Sequence, residues 1–268
     1  MSVAQALPRP ALARFAPPRE AAATIQFVDV AFTDRGTPSV LEAVAGRPPG
    51  APFVYIVTPN VDHVVRLQRS RSDLWPAYRG AWMTLCDSRI LARLAQRAGF
   101  ALPVVPGSDL TAELFARVIE PGDRIAVLGG RPATLARLVE RYGLREVAHY
   151  GPPMGFIDDP LEVARAVRFL VEARARYSFL AVGSPQQEIV AYRLARAGAA
   201  TGVGLCVGAS LEFLSGDQDR APVLVQRLAL EWLYRLVSNP RRLWRRYLID
   251  GPEIFSIARR WTSDTVRA

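Results

Sequence analysis

Short apolar runs and segments of helical spacing alternate along the chain from about residue 23. The runs are rich in apolar and β-branched residues and stop at glycine, proline or polar residues, as buried strands do. They lie at residues 52–60, 81–88, 123–130, 177–185 and 201–210. The segments between them have the spacing of helices, which we predict over residues 61–70, 89–99, 106–118, 131–143, 159–176 and 186–198.

This order of elements predicts an α/β fold with a mostly parallel sheet flanked by helices, because strands joined by helices form right-handed crossovers. Ligands of such sheets bind beyond the carboxyl ends of the strands. Small and polar residues recur at the predicted ends, namely Thr58, Asn60, Asp87, Ser88, Gly129, Gly130, 184–187 and 208–210. We therefore expect a binding crevice along this edge, although loops favour such residues without a ligand as well.

Composition narrows the class of protein. The chain has 268 residues, of which 50% are hydrophobic and 22% charged, so most of it can form a packed core. Two cysteines, Cys86 and Cys206, are too few for a disulfide scaffold, and their apolar surroundings predict that both are core residues. All 34 basic residues are arginine, which excludes any mechanism that needs a lysine.

The positive charge is concentrated in the C-terminal part of the sequence. The formal net charge is +9, and residues 220–268 carry +6 of it through ten arginines and four acidic residues. A basic segment of this kind indicates an anionic partner, which is nucleic acid, an anionic membrane or a phosphorylated substrate. A solvated basic helix is the alternative.

Three regions follow from these patterns. Residues 1–22 are rich in proline, alanine and arginine, which predicts a disordered extension and not a signal peptide. Residues 23–219 are predicted to form a Rossmann-like α/β domain, and residues 220–268 a basic amphipathic helical appendage. No stretch approaches 18 uninterrupted apolar residues, so we expect no transmembrane helix and a cytoplasmic location.

Asp87 is the candidate general base, because it ends an apolar run at the predicted crevice and a carboxylate can accept a proton there. The alternative is that Asp87 is the N-cap of the helix that starts at Arg89. His63 and His149 are the only histidines and lie in different segments. A histidine metal site or a Ser-His-Asp triad is therefore not expected.

Two runs end in a glycine turn that opens a helix, VLGG at 127–130 and VGSPQQE at 182–188. Backbone N–H groups at a helix N-terminus can bind an anion, although tight turns also need glycine for steric reasons. Neither segment is G-x-G-x-x-G or a P-loop, which excludes dinucleotide dehydrogenases and P-loop NTPases. At the start of another predicted helix, PGSDL offers Ser108 or Asp109 as the N-cap.

The segment Asp217-Gln218-Asp219 matches the D-x-D pattern with which many sugar-nucleotide enzymes hold a divalent metal. It follows Gly216 in a predicted connector, where turn chemistry is the better explanation. We therefore predict no metal site.

The C-terminal region has the most specific pattern. Its apolar residues keep helical spacing up to Val237, and Pro240 is expected to break that helix before a second begins in the cluster 241–246. Arg235 and Arg242 would present guanidinium forks suited to phosphate. Aromatic residues of the kind found at membrane interfaces follow at Trp244, Tyr247 and Trp261. An amphipathic hairpin packed on the core is the alternative.

Taken in order, these motifs resemble the WecG/TagA/CpsF family of bacterial glycosyltransferases. From about Pro52 to Phe255 the series is TPNVDHV, LCDS, PGSDL, VLGG, GSPQQE, GVGLCVGASLEFLSG and RAP…LEWLYRL…NPRRLWRRY. GSPQQE is similar to the family's G-x-P-x-Q-E, and the last block is distinctive. Several motifs in the right order are more specific than any one of them.

The resemblance implies an inverting transfer, without cofactor or metal, from a UDP-sugar to a sugar on a polyprenyl diphosphate such as undecaprenyl diphosphate. It implies a peripheral enzyme at the inner face of the cell membrane that makes exopolysaccharide or a cell-wall polymer. It further implies Asp87 as the catalytic base and Glu212 as a uridine-side contact. The other substrate-binding positions are Thr58, Asn60, Gly107, Asp109, Gly129, Gly183, Pro185 and Gln187. Arg235, Arg242 and Arg245 are implied to bind the acceptor diphosphate.

Two departures from the family pattern bear on donor specificity. Ser88 stands where glycine commonly follows the base, and Glu212 stands where many members have aspartate. N-acetylmannosamine, glucose and an acidic hexose are all compatible donor sugars, and a homo-oligomer is compatible as well. A non-catalytic UDP-sugar-binding protein and an arginine-rich nucleic-acid-binding protein are the rival functions. No helix-turn-helix or RNP motif is present, so we expect no nucleic-acid partner.

Overall fold

A computed structural model describes residues 23–217 and 231–267 and confirms the predicted α/β fold. A two-stranded antiparallel hairpin precedes a six-stranded parallel sheet. The strands are β1 (Thr24–Phe27), β2 (Val30–Thr33), β3 (Val54–Val57), β4 (Met83–Thr84), β5 (Arg124–Gly129), β6 (Glu146–Tyr150), β7 (Tyr177–Ala181) and β8 (Val203–Cys206). The order across the parallel sheet is β4-β3-β8-β7-β5-β6.

Helices connect and cover the strands. In the first part of the chain they are α1 (Thr37–Ala45), α2 (Val61–Arg69), α3 (Trp75–Arg79), α4 (Arg89–Arg97), α5 (Gly107–Arg117), α6 (Pro132–Tyr142), α7 (Pro160–Ala173), α8 (Gln186–Ala197) and α9 (Ser210–Ser215). After residue 230 they are α10 (Glu231–Ser238), α11 (Pro240–Trp244), a π-helical turn (Arg245–Asp250) and α12 (Glu253–Arg267). Among the residues that the structure describes, no helix has both the length and the apolar character to cross a bilayer.

Both faces of the parallel sheet are buried, which explains why its strands are continuous apolar runs. Along β3, Val54 and Ile56 pack into one hydrophobic cluster, and Tyr55 and Val57 pack into another on the opposite face. Cys206 belongs to the second of these clusters.

Cys86 packs in a third cluster and is 1% exposed. Burial raises the pKa of its thiol to about 12. Cys206 is likewise buried, so both cysteines are core residues as predicted.

The hairpin and the last helix share that third cluster. Phe27 of β1 meets Trp261 of α12 edge to face, with ring centroids 5.3 Å apart. Ile254 and Ile257 of α12 are also buried there, so α12 is held by core contacts. The sequence pattern gives no sign of this hairpin, because Val28, a poor residue for the left-handed region, occupies its turn with φ 48°.

Two helix-cap assignments made from the sequence are corrected by the structure. Helix α5 begins at Gly107 with Pro106 as the N-cap, so Ser108 and Asp109 lie inside the first turn and neither caps it. Proline at the cap presets the extended backbone that precedes this helix. Helix α4 is capped by Ser88, whose hydroxyl accepts from the Leu91 N–H at 3.2 Å. The alternative role of Asp87 as the N-cap is therefore wrong.

The substitution Gly202→Ala tests how closely the chain packs before β8. Gly202 has φ +86°, and an added Cβ would lie 2.3 Å from the Ala175 carbonyl oxygen. We expect a loss of about 3 kcal/mol or more in the free energy of unfolding, because backbone cannot move away as a side chain can. Gly143→Ala is the matched control, since Gly143 also has positive φ but open space around it. The control should cost about 1 kcal/mol. Equal losses in urea unfolding would contradict the close packing.

Candidate active site

Asp87 lies at the carboxyl edge of the sheet, where the chain leaves β4. The backbone stays paired beyond the strands, since the Leu85 N–H donates to the Val57 carbonyl at 2.9 Å and the Asp87 N–H donates to the Pro59 carbonyl at 3.0 Å. Asp87 is half-buried. Backbone hydrogen bonds thus hold Asp87 beside the end of β3.

Asn60 begins α2 with a reciprocal cap. Its side-chain oxygen accepts from the Asp62 N–H at 3.1 Å, and its own N–H donates to Nδ1 of His63 at 3.0 Å. Further along α2, Arg66 pairs with Asp62 at 3.1 Å and donates to the Ser184 hydroxyl at 3.1 Å. Helix α2 is therefore tied to the GSPQQE turn through Arg66, and His63 has a structural role at the start of the helix.

Asn60 and Asp87 line one cavity of about 410 Å³. The first wall comes from the strand ends and helix starts, and consists of Asn60, Val61, Asp62, Asp87, Ser88, Arg89, Ile90 and Pro106. The second wall comes from the C-terminal part of the chain, and consists of Trp232, Tyr247, Leu248, Gly251, Pro252, Ile254 and Phe255. The cavity therefore places carboxylates opposite a surface that is largely apolar and aromatic.

Core contacts and one ion pair position the second wall. Ile254 is 1% exposed in the third cluster, and Glu253 beside it pairs with Arg69 of α2 at 2.6 Å. Trp232 and Tyr247 pack together with ring centroids 6.1 Å apart. The sequence pattern indicated an amphipathic segment here but not these cavity residues, because helical spacing does not distinguish a face that lines a cavity from one that meets a membrane.

Thr58, Gly107 and Gln187 lie at neighbouring strand ends, outside the cavity lining. The buried Thr58 hydroxyl donates to the Cys206 carbonyl at 3.2 Å, and a Cβ on Gly107 would lie 3.0 Å from that hydroxyl. The side-chain oxygen of Gln187 accepts from the Gly208 N–H at 2.9 Å. These contacts join the ends of β3, β7 and β8. Asp109, in the first turn of α5, is half-buried.

The backbone geometry of the two helix-opening turns explains why glycine occupies them. A Cβ on Gly129 would lie 2.7 Å from the Val182 side chain, so the approach of β5 to β7 requires glycine. Gly183 has open space but φ +80°, and Pro185 follows it before α8. These turns bring the N-termini of α6 and α8 to the carboxyl edge of the sheet.

Glu212 lies near the turn after β5. Its carboxylate is 4.0 Å from the guanidinium of Arg131, which directly follows Gly130. Glu212 is thus brought to the Gly129-Gly130 turn and is not a lining residue of the Asp87 cavity.

Asp217, the first residue of the D-x-D match, is engaged by α6. It accepts from Thr134 and pairs with Arg137, and the Ser215 hydroxyl donates to it at 2.8 Å. Gln218 and Asp219 lie outside the described residues. Within 23–217 and 231–267, no group of three histidine, cysteine or acidic side chains is arranged to hold a metal ion.

The three arginines predicted for the acceptor lie in the C-terminal helices. Arg245 is exposed at the start of the π-helical turn and does not line the cavity. The side chains of Arg235 and Arg242 fall outside the described part of the structure.

Comparison with models of protein families shows the family to which the chain belongs. The model of the glycosyl transferase WecG/TagA/CpsF family matches residues 25–267, which include the hairpin, the sheet and the C-terminal helices. The chain belongs to this family. The resemblance read from the motifs is therefore confirmed, and the protein is a glycosyltransferase.

This glycosyltransferase buries a carboxyl group that the sequence pattern did not single out. Glu188 follows Gln187 and is 2% exposed. One of its oxygens accepts from the Gln187 side-chain amide at 2.9 Å, and the other has no hydrogen-bond partner among the described residues. Desolvation raises the pKa of Glu188 above its usual 4.5. Glu188 therefore fixes which end of the Gln187 amide faces Gly208.

Burial of Glu188 predicts a pH-dependent stability. Its folded pKa exceeds its unfolded value, so the folded state binds more protons and stability falls as pH rises above about 4.5. Glu188→Gln should therefore gain stability relative to wild type at pH 7.5 and gain less at pH 4.5. Urea unfolding at the two pH values measures this difference.

The exposed Glu172→Gln on α7 is the matched control and should follow the wild-type pH profile. If Glu188→Gln shows the same profile as wild type, the buried carboxyl does not titrate as its surroundings imply.

Proposed function

We propose that this protein is an inverting, metal-independent hexosyltransferase. It moves a sugar from a UDP-sugar to a sugar on a polyprenyl diphosphate, such as undecaprenyl diphosphate, and so extends a lipid-linked precursor of exopolysaccharide or another surface polymer. It acts as a peripheral enzyme at the cytoplasmic face of the cell membrane. Residues 220–268 form its acceptor-binding and membrane-binding appendage.

The observation that carries the proposal is the placement of Asp87 in a cavity whose opposite wall is apolar and aromatic. A lipid-linked sugar has a polar reacting group close to a long apolar chain, and such a cavity matches both parts. Asp87 accepts the proton of the acceptor hydroxyl as the hydroxyl oxygen bonds to the anomeric carbon. The bond from that carbon to the β-phosphate oxygen breaks, and UDP leaves with the electron pair.

The departing UDP needs a sink for negative charge. The N-termini of α5, α6 and α8 lie along the carboxyl edge of the sheet and supply oriented backbone N–H groups. The proposed donor site along this edge consists of Thr58, Asn60, Gly107, Asp109, Gly129, Gly183, Pro185 and Gln187. Glu212 is the proposed uridine-side contact, and Arg235, Arg242 and Arg245 are the proposed contacts to the acceptor diphosphate.

Asp87→Asn tests the base. The amide keeps the shape of the side chain but cannot take the proton, so we expect UDP release in the presence of lipid acceptor to fall by about 100-fold or more. Folding and UDP binding should stay within about twofold of wild type. Release of UDP from a panel of UDP-sugars, with a membrane lipid extract as acceptor, is the measurement, and the panel also identifies the donor sugar.

Asp62→Asn is the matched control, because Asp62 lines the same cavity but is paired with Arg66. Its activity should fall by no more than about tenfold. If Asp87→Asn kept full activity and Asp62→Asn lost it, Asp62 and not Asp87 would be the base. Loss of UDP binding in Asp87→Asn would show a structural role instead.

Membrane contact is tested through exposed apolar residues of the appendage. Trp244 and Ile249 are 48% and 54% exposed and lie outside the cavity lining. The double variant Trp244→Gln/Ile249→Gln should bind anionic vesicles at least tenfold more weakly, since it removes two apolar groups that would enter the interface. Co-sedimentation with vesicles measures this affinity.

Met154→Gln/Leu161→Gln is the control, because these two residues are the most exposed large apolar side chains of the main domain, at 101% and 78%. The control should bind vesicles as wild type does. If both double variants bound the anionic vesicles equally, the appendage would not be the membrane contact.

A further inference from the structure

A second groove lies on the outer side of the contact between α4 and α12. It has a volume of about 550 Å³ and does not contain Asp87. Four apolar side chains form its floor, namely Leu94, Ala98, Phe255 and Ala258, and Arg97 and Arg259 contribute the charge. None of the residues proposed to bind the donor or the acceptor lines this groove.

The groove follows from the way the two helices pack. Leu91 and Ala95 of α4 and Ile254 and Ile257 of α12 are buried in the third cluster, which fixes the distance between the helices. At the outer edge of that contact Ala98 and Ala258 have short side chains, so the two helices do not close the gap. The space is therefore set by the core.

The charges of the groove are of one sign. No acidic residue lines it. Arg97 and Arg259 are both exposed, and within residues 23–217 and 231–267 no carboxylate pairs with either of them. Guanidinium groups that line one groove without a carboxylate partner suit a phosphate, to which arginine donates paired hydrogen bonds.

The hydroxyl groups of the groove are already used as donors. Thr262 donates to the Ala258 carbonyl at 2.9 Å, and Ser263 donates to the Arg259 carbonyl at 2.9 Å. Polar recognition in the groove therefore depends on the two arginines. The remaining surface is apolar, which suits a ligand that joins a phosphate to hydrocarbon.

Phe255 connects this groove to the catalytic cavity. It lines both spaces and is 54% exposed. Leu248, which lines the cavity, and Ile249 next to it are exposed to the same degree. The groove is thus continuous with the surface proposed to meet the membrane.

We propose that the groove between α4 and α12 binds the phosphate of an anionic phospholipid. Arg97 and Arg259 hold the phosphate, and the glycerol and first acyl carbons lie on Phe255 and Ala258. The bound lipid fixes the orientation of the enzyme so that the catalytic cavity opens along the bilayer surface. This inference rests on the membrane contact of the proposed function, but not on the identity of the catalytic base.

The test compares two double variants of the full-length protein. Arg97→Gln/Arg259→Gln removes the groove charges, and Arg93→Gln/Arg260→Gln removes two exposed arginines of the same helices that do not line the groove. Binding is measured to phosphatidylcholine vesicles with and without phosphatidylglycerol. We expect the groove variant to bind the phosphatidylglycerol vesicles at least tenfold more weakly than the control variant, and both to keep the wild-type thermal unfolding temperature.

A soluble probe separates a site from diffuse attraction. Monomeric dihexanoyl-phosphatidylglycerol should bind wild type and the control variant with one saturable site, and the groove variant should lose that site. Equal weakening of both variants on vesicles would overturn the groove and leave membrane contact intact. Failure of wild type to bind the vesicles would overturn the groove and the proposed membrane contact together.

The acceptor lipid is the other source of a phosphate on hydrocarbon. Transfer to a short-chain prenyl-diphosphate acceptor, measured without vesicles, distinguishes the two. An unchanged KM in the groove variant supports a phospholipid site. A tenfold rise in KM for that acceptor would overturn the assignment, because the groove would then belong to the acceptor.

Discussion

Backbone pairing beyond the ends of β3 and β4 is the constraint on which the candidate site depends. The ladder continues through Leu85 to Val57 and through Asp87 to Pro59, so the two chains leave the sheet side by side. Helices α2 and α4 then begin at adjacent points, and Asn60 and Ser88 cap them. Asp87 is not needed for either cap. An aspartate at a helix start is commonly used to cap it, but here Ser88 caps α4 and Asp87 lines the cavity.

The second wall of the cavity depends on a different part of the core. Ile254, Ile257 and Ala258 share a cluster with Phe27 of β1 and Val64 of α2. Each large buried side chain contributes roughly 1.5–3 kcal/mol to this packing. Movement of α12 would therefore expose the hairpin and α2 together. Leu248 and Phe255 form an exposed edge of this wall, next to the residues proposed to meet the membrane.

The sheet and most of its helices could be predicted because buried parallel strands are continuous apolar runs, as β3 and β7 are. The hairpin could not, since Val28 at its turn carries no turn signal. The alternation of apolar runs and helical segments predicted that Asp87 lies at a strand end. The order of the motifs predicted the family of the chain. Trp232 and Phe255 could not be placed in the cavity, because they come from distant helices whose orientation depends on packing. Glu188 was missed because a polar residue at a helix start ordinarily indicates exposure, and only the fold shows its burial.

Some of the described arginines are paired with carboxylates and others are not. In the α/β domain, Arg66, Arg137 and Arg176 pair with carboxylates that are largely buried, so their charge is offset where it lies. Exposed Arg97 of α4, and exposed Arg245 and Arg259 of the C-terminal helices, have no carboxylate partner within the described residues. The charge of these described arginines therefore faces solvent on helices that also expose Trp244 and Phe255. Exposed Leu248 and Ile249 in the same segment support the proposed anionic lipid interface over nucleic acid, because aliphatic side chains give bases no ring to stack on.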